Sequence, residues 1–155
     1  LLGGVGLYLA FRDPKGFKRY MTYIGVSFFT ALLLFALFPN GQDLRPDLDT
    51  LGRENLFTRL IGVLYASDTN TNVCPSLHVV GSLAAWFAVL HNDRLRRTRW
   101  IPIIVGVLAC LVSISTVMIK QHSLLDMIVG VPYALFLYRL LYWSCGRVIT
   151  PKISP

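Results

Sequence analysis

Four apolar runs with polar breaks between them set the pattern of this chain. Tyr20 to Phe38 gives nineteen uncharged residues, closed by the breaker Pro39-Asn40-Gly41. Leu77 to Leu90 is a shorter apolar run, opened by Cys74-Pro75-Ser76. Trp100 to Ile119 contains no charged side chain, and Ser123 to Trp143 is the last run, free of charge from 127 to 138. Leu1 to Phe11 is also apolar but short for a span. It has no basic leader before it and reads as the tail of a helix that begins before Leu1. Roughly 20 apolar residues cross a bilayer as a helix. The pattern therefore predicts an all-α integral membrane bundle, one domain over residues 1–155, with a polar outer loop at 39–75. The stretch from Trp100 to Trp143 would be ~66 Å long as one helix, about twice the hydrocarbon thickness. It must fold back, and Lys120-Gln121 is the place, although neither Gly nor Pro marks a turn there.

Composition agrees with this division. Of the 155 residues 54% are hydrophobic and only 15% charged, whereas a soluble domain is nearer a quarter charged. The net charge of +7 would suggest nucleic acid if it were spread over a surface. Instead, the loops at 12–19 and 92–99 and the tail from Arg139, with Arg147 and Lys152, hold eleven of the 15 basic residues and only the acids Asp13 and Asp93. The other side holds Arg45, Arg53, Arg59 and Lys120 against Asp43, Asp47, Asp49, Glu54 and Asp68. The positive-inside rule then places the basic loops in the cytoplasm, and the long loop with the Lys120 turn outside. The basic runs read as topology signals and anionic-lipid contacts, so the expected partners are the bilayer and a membrane lipid, not nucleic acid. Cys74, Cys110 and Cys145 are far apart with no CxxC pair, which indicates neither a zinc site nor a disulfide framework. Cys110 and Cys145, in apolar runs, read as packing residues.

Within the outer loop, Glu54 to Tyr65 places Leu56, Phe57, Leu60, Ile61 and Leu64 at helical spacing. This fits a short amphipathic helix, either lying on the outer membrane surface or packed as a lid on the bundle. Ser67-Asp68-Thr69-Asn70-Thr71-Asn72 after it is turn chemistry.

The topology gathers three polar groups at the outer face: Leu44-Arg45-Pro46, Asn72 to His78, and Ser115 to Asp126. Ser76 follows Pro75 and precedes an apolar helix, as an N-cap does. That helix start offers free N–H groups to an anion near His78. His122 and Asp126 are four apart, so on a helix they share a face and a carboxylate can orient an imidazole. A held imidazole can attack phosphorus, a second can protonate a leaving oxygen, and Arg, Lys and N–H groups can hold the negative charge. Such a site needs no metal and no cofactor, and no metal-ligand spacing is present. Each element alone is also an ordinary cap or packing pair; their convergence is what points to chemistry.

These segments resemble the type-2 phosphatidic acid phosphatase superfamily of membrane phosphatases and phosphotransferases. Its signature is Lys-x6-Arg-Pro, Pro-Ser-Gly-His and Ser-Arg-x5-His-x3-Asp. The matching segments here are Phe38 to Pro46, Pro75-Ser76-Leu77-His78, and Ser115-Thr116-x5-His122-x3-Asp126. The Pro-Ser-Leu-His variant is also similar to inositolphosphorylceramide-synthase-like members. The resemblance implies a six-helix bundle, about five helices of it covered here, with an extracytoplasmic site. It implies His122 as the nucleophile, Asp126 as its orienting partner and His78 as the general acid. Ser76 and Arg45 would bind phosphate oxygens, with Ser115 beside them. It implies a lipid phosphatase or a head-group phosphotransferase, with a silent lipid- or anion-binding protein as the alternative of another class. Phe38, Leu77 and Thr116 depart from the signature and remove two cations. Lys120 is the expected replacement charge, and Asp68 or Asn72 could also line the site.

Overall fold

A computed structural model of the chain describes residues 1–143 apart from 49, 51, 53, 54 and 69, and for residue 143 the backbone only. Cys145, Arg147 and Lys152, and the expectations attached to Asp49, Arg53, Glu54 and Thr69, lie outside the described residues. The elements are α1 (Leu2–Arg12), α2 (Pro14–Leu37), α3 (Leu56–Ser67), α4 (Leu77–Leu90), α5 (Asp93–Arg97), α6 (Trp100–Met118) and α7 (Leu124–Tyr138), which continues as a π-helical turn, Arg139–Trp143. Helices α1, α2, α4, α6 and α7 form the bundle. Two runs of 19 residues (Trp100–Met118 and Leu124–Tyr142) and the 24 residues of α2 are long and apolar enough to cross a membrane. The chain is an all-α integral membrane protein.

Helix α4 is the centre of the bundle. It packs against α1, α2, α6 and α7. Val79, Val80, Gly81, Ala84, Ala85, Phe87, Ala88 and Val89 are buried, so no polar face is needed. Its small residues let neighbouring backbones come close, which is how helices associate where lipid offers no hydrophobic contrast. Helix α6 shows the complementary arrangement. Its buried positions are Ala109, Ser113 and Thr116, one helical stripe of small side chains. Ile103, Ile104, Val107, Leu108, Leu111 and Ile114 face outward. Cys110 is exposed on this outer side as well, so the packing role expected for it is not what the fold gives it.

Hydrogen bonds between helices replace the missing hydrophobic contrast. Tyr23 Oη donates to Ala134 O (2.9 Å) and Tyr133 Oη donates to Ser27 O (2.6 Å), tying α2 to α7 from both directions. At the basic end, Asp13 caps α2 by accepting from Gly16 N (2.9 Å), with Pro14 in the first turn. Asn92 Nδ2 donates to the other Asp13 oxygen at 2.9 Å, so the α1–α2 and α4–α5 turns share one end of the bundle. The charge pattern had grouped these segments, but as loops, whereas residues 14–19 are the first turns of α2 and Asp93–Arg97 is helix α5.

The outer loop closes on itself through Asn40. Its Oδ1 accepts from Val73 N (2.8 Å) and Cys74 N (2.9 Å), and its Nδ2 donates to Cys74 O (3.1 Å). The start and end of the loop are thus fastened just ahead of α4. Helix α3 begins at Leu56, with Asn55 as its N-cap, two residues later than the spacing suggested. None of its residues is buried, and Leu56, Phe57, Leu60, Val63 and Leu64 are exposed. Its C-terminal end is held by Tyr65 Oη donating to Ile119 O at 2.6 Å. Replacing Asn40 with Ala would strand two backbone donors and one acceptor, a loss of about 1–3 kcal/mol. The expected result is a lower thermal midpoint in detergent, with Asn40→Asp, which keeps the acceptor, in between.

Candidate active site

The site lies where the α6–α7 turn meets the start of α4. The turn is built without glycine. Lys120 N donates to Val117 O (3.1 Å) and Gln121 N donates to Thr116 O (3.0 Å), the bond pattern of a Schellman cap. Lys120 occupies the left-handed position at φ 58°, where Gly is usual. His122 N also donates to Thr116 O (3.1 Å). Thr116 therefore fixes His122 through its carbonyl, while its buried hydroxyl donates to Ser113 O.

Ser123 is the N-cap of α7, in a capping box. Its Oγ accepts from Asp126 N (3.2 Å), and Asp126 Oδ2 accepts from Ser123 N (2.7 Å). This corrects the expectation of one shared helical face: His122 precedes the cap, and Asp126 reaches back to it from the first turn. His122 Nδ1 lies 3.6 Å from Asp126 Oδ2, within ion-pair range but longer than a hydrogen bond. The two residues are 6% and 4% exposed, so both are held inside protein rather than in water.

Across the junction, Ser76 caps α4, accepting from Val79 N at 3.5 Å, and is fully buried. Ser76 N meets Asp126 O at 3.5 Å, and Gly130 of α7 lies against the Ser76 backbone. This seats the start of α4 on α7 and brings His78 to His122. His78 Nδ1 and His122 Nε2 are 3.2 Å apart. His78 is exposed and His122 buried, so one imidazole faces outward while the other is fixed behind it. The third histidine, His91, lies at the opposite end of α4 beside Tyr138.

Arg45 reaches the same neighbourhood from the outer loop. Its Nη1 donates to Tyr65 O (3.1 Å) and Asp68 O (2.6 Å), its Nη2 lies 3.8 Å from Asp68 Oδ2, and its guanidinium sits over the Tyr65 ring. Asp68 Oδ2 also accepts from Gln121 Nε2 at 3.3 Å, and Gln42 Nε2 donates to Gln121 O. The network Arg45–Asp68–Gln121 thus ends one residue from His122.

The expected residues therefore divide. His78, His122 and Asp126 converge, with Ser76 beneath them as a cap and Arg45 linked through Asp68. Lys120 is exposed, and its ammonium makes no hydrogen bond or ion pair with a described residue. Ser115 is exposed and its hydroxyl donates to Val112 O in its own helix, so it is not brought to the pair. Phe38 is 69% exposed. Asn40, Gln42 and Tyr65 are structural partners of the site that spacing did not reveal. Asn40 stood in a breaker tripeptide, the one signal that could have marked it. Among the described residues no group of three or more His, Cys, Asp or Glu side chains is placed to hold a metal ion.

The electrostatics favour a neutral His122. Burial first, and then the His78 charge, push its pKa below the ordinary 6.5, opposed by Asp126 and Asp68. His122 Nδ1 makes no hydrogen bond to a described residue, and a proton on it would face Asp126 Oδ2 at 3.6 Å and leave Nε2 its lone pair as acceptor or nucleophile. Cys74, beside the pair, is pushed above its ordinary 9.0 by burial and by Asp126, so it stays a thiol. The His122 shift carries a pH prediction. Because the folded protein binds the His122 proton less readily than the unfolded chain, stability falls as pH drops from 6.5 toward the folded value. For the same reason the group keeps its lone pair below pH 6.5, so the acid limb of kcat/KM should have its midpoint there. Equilibrium unfolding and a pH–rate profile read the two effects separately.

An α-helical membrane bundle with a paired-histidine site at one end is the class of protein that this architecture defines. A family model of the PAP2 superfamily matches residues 19–149, and the chain belongs to that superfamily. No curated protein and no solved structure matches the chain. Membership makes it a member of a phosphatase and phosphotransferase superfamily.

Proposed function

We propose that the chain is a membrane enzyme that takes a phosphoryl group from a lipid phosphate through a phosphohistidine at His122. The observation that carries this reading is the His78–His122–Asp126 line: Nδ1 to Nε2 at 3.2 Å, and Nδ1 to Oδ2 at 3.6 Å. Asp126 sets its carboxylate beside Nδ1, which makes Nε2 the atom that attacks once His78 has moved aside. His78, in its charged form, donates to the leaving oxygen and is the group exposed to it. Arg45, the N–H groups at the start of α4 above Ser76, and Lys120 supply the positive field for the phosphate oxygens. His78 must swing off His122 to admit phosphorus, and its exposure allows this. The distribution of basic loops supports an extracytoplasmic site, and the exposed apolar residues of α3 support a substrate that arrives from the outer leaflet.

The test is a trapping experiment. Purified protein mixed with a lipid phosphate labelled on phosphorus and quenched in alkali should retain label that acid removes, the behaviour of a phosphohistidine. Absence of such label under turnover conditions, with every lipid phosphate tried, would leave a silent binding protein as the better reading.

A further inference from the structure

At the end of the bundle opposite the histidine pair, Leu135, Tyr138, Arg139 and Tyr142 recur at the spacing of one helical face along α7 and its π-helical turn. Together with His91, the residue that closes α4, they line a cavity of ≈ 390 Å³, within the size range of small-molecule sites. His91 Nδ1 lies 3.0 Å from Phe87 O, and since a carbonyl only accepts, this nitrogen carries a proton. His91 Nε2 is 3.4 Å from Tyr138 Oη, and the His91 and Tyr142 ring centres are 4.6 Å apart. Tyr142 is only 5% exposed, yet its hydroxyl makes no hydrogen bond to a described residue. A buried phenol ordinarily has a partner, so this one points to a group that the cavity takes in.

We propose that this cavity binds the phosphate group of a membrane phospholipid, at a site separate from the histidine pair and independent of the chemistry at His122. Aromatic walls alone would also suit a cation. Arg139 on the wall and the Arg19 guanidinium, 5.6 Å from the Tyr142 ring centre, favour an anion instead. Guanidinium and phenol groups are both donors to phosphate oxygens. The two acids of this end stand at helix starts, Asp13 capping α2 and Asp93 in the first turn of α5, and no acidic residue follows Asp126 in the sequence. A lipid fits better than a soluble phosphate because Leu135, exposed one turn from Arg139 toward the middle of α7, adds an apolar wall to the same cavity. Phe136 and Leu140 are exposed on the same helix, as residues facing acyl chains would be. The phosphate meets Arg139 and Tyr142, and a chain runs along Leu135. Such a lipid joins the end of α4 to the end of α7, the helices that carry His78 and Asp126 at their other ends.

The test is thermal unfolding in a neutral detergent with increasing dioctanoyl phosphatidylglycerol. Two controls divide the ligand: dioctanoylglycerol lacks the phosphate, and inorganic phosphate lacks the chains. The wild type should gain about 3 °C or more with the phospholipid and little with either control. The lipid concentration giving half of that gain should rise about five- to tenfold in Tyr142→Phe, which keeps the ring, and further in Arg139→Gln. Each variant is read against its own lipid-free midpoint, so lost stability does not mimic lost binding. In His122→Ala the gain should persist. A gain that Tyr142→Phe and Arg139→Gln leave unchanged, or that His122→Ala removes, would overturn the proposal. Equal gains with dioctanoylglycerol or with inorganic phosphate would overturn the phospholipid assignment, and no gain with the phospholipid would overturn the site itself.

Discussion

Replacing His122 with alanine is expected to abolish both the trapped phosphoenzyme and turnover, with a fall of at least about a thousandfold in kcat. The physical case is that no other described group can take its place. Cys74 is kept as a thiol by burial and by Asp126, Ser76 is fully buried with its oxygen in a helix cap, and His78 points outward without a carboxylate behind it. The same substitution should leave the fold nearly untouched. His122 is fixed through its backbone N–H to Thr116 O, a bond that alanine keeps, and its side chain gives up its contacts to His78 and Asp126. A shift in stability within about 1–2 kcal/mol, read by thermal unfolding in detergent, would separate lost chemistry from lost folding. Retention of alkali-stable label in His122→Ala would assign the nucleophile elsewhere.

The sequence made the bundle legible because membrane helices are written in length and charge. Helices α2, α4 and α6 start and stop within a few residues of breaks visible as Pro, charge runs or the Cys74-Pro75-Ser76 entry. The site was legible only as far as it uses residue types with few bland explanations, two histidines and a carboxylate at fixed spacing. The rest depends on local geometry that spacing does not carry. Reading His122 and Asp126 as one helical face missed the capping box, because a Ser three residues before an Asp can start a helix inside the interval. The fold-back could not be placed from turn residues, because Lys120 takes a conformation normally left to glycine. Ser115 sits in the motif by register but on the outer side of α6, and nothing in a linear spacing says which side a helical residue faces. Asp68 was weakly marked because its effect runs through Arg45 and Gln121, which are 23 and 53 residues away from it in sequence.

Asp126→Asn is the sharper test of mechanism, because Asp126 holds two positions at once. As the third residue of α7 it accepts from Ser123 N at 2.7 Å, and as the neighbour of His122 it sets the charge beside Nδ1 at 3.6 Å. Asparagine keeps an acceptor oxygen for the cap, so most of the roughly 0.5–2 kcal/mol attached to such a cap should remain. It cannot keep the negative charge, which holds the Nδ1–H tautomer and stabilises the imidazole as Nε2 gives up its electron pair. The expected outcome is a fall in kcat of about 100- to 10,000-fold with KM changed far less, and a thermal midpoint close to that of the wild type. The acid limb of the pH profile should also move further below 6.5, because removing Asp126 removes a charge that favours protonated His122. A purely structural Asp126 predicts the reverse ordering: stability and activity would fall together, and the acid limb would stay where it was. Asp126→Ala breaks cap and charge at once, so the difference between the two variants measures the cap alone.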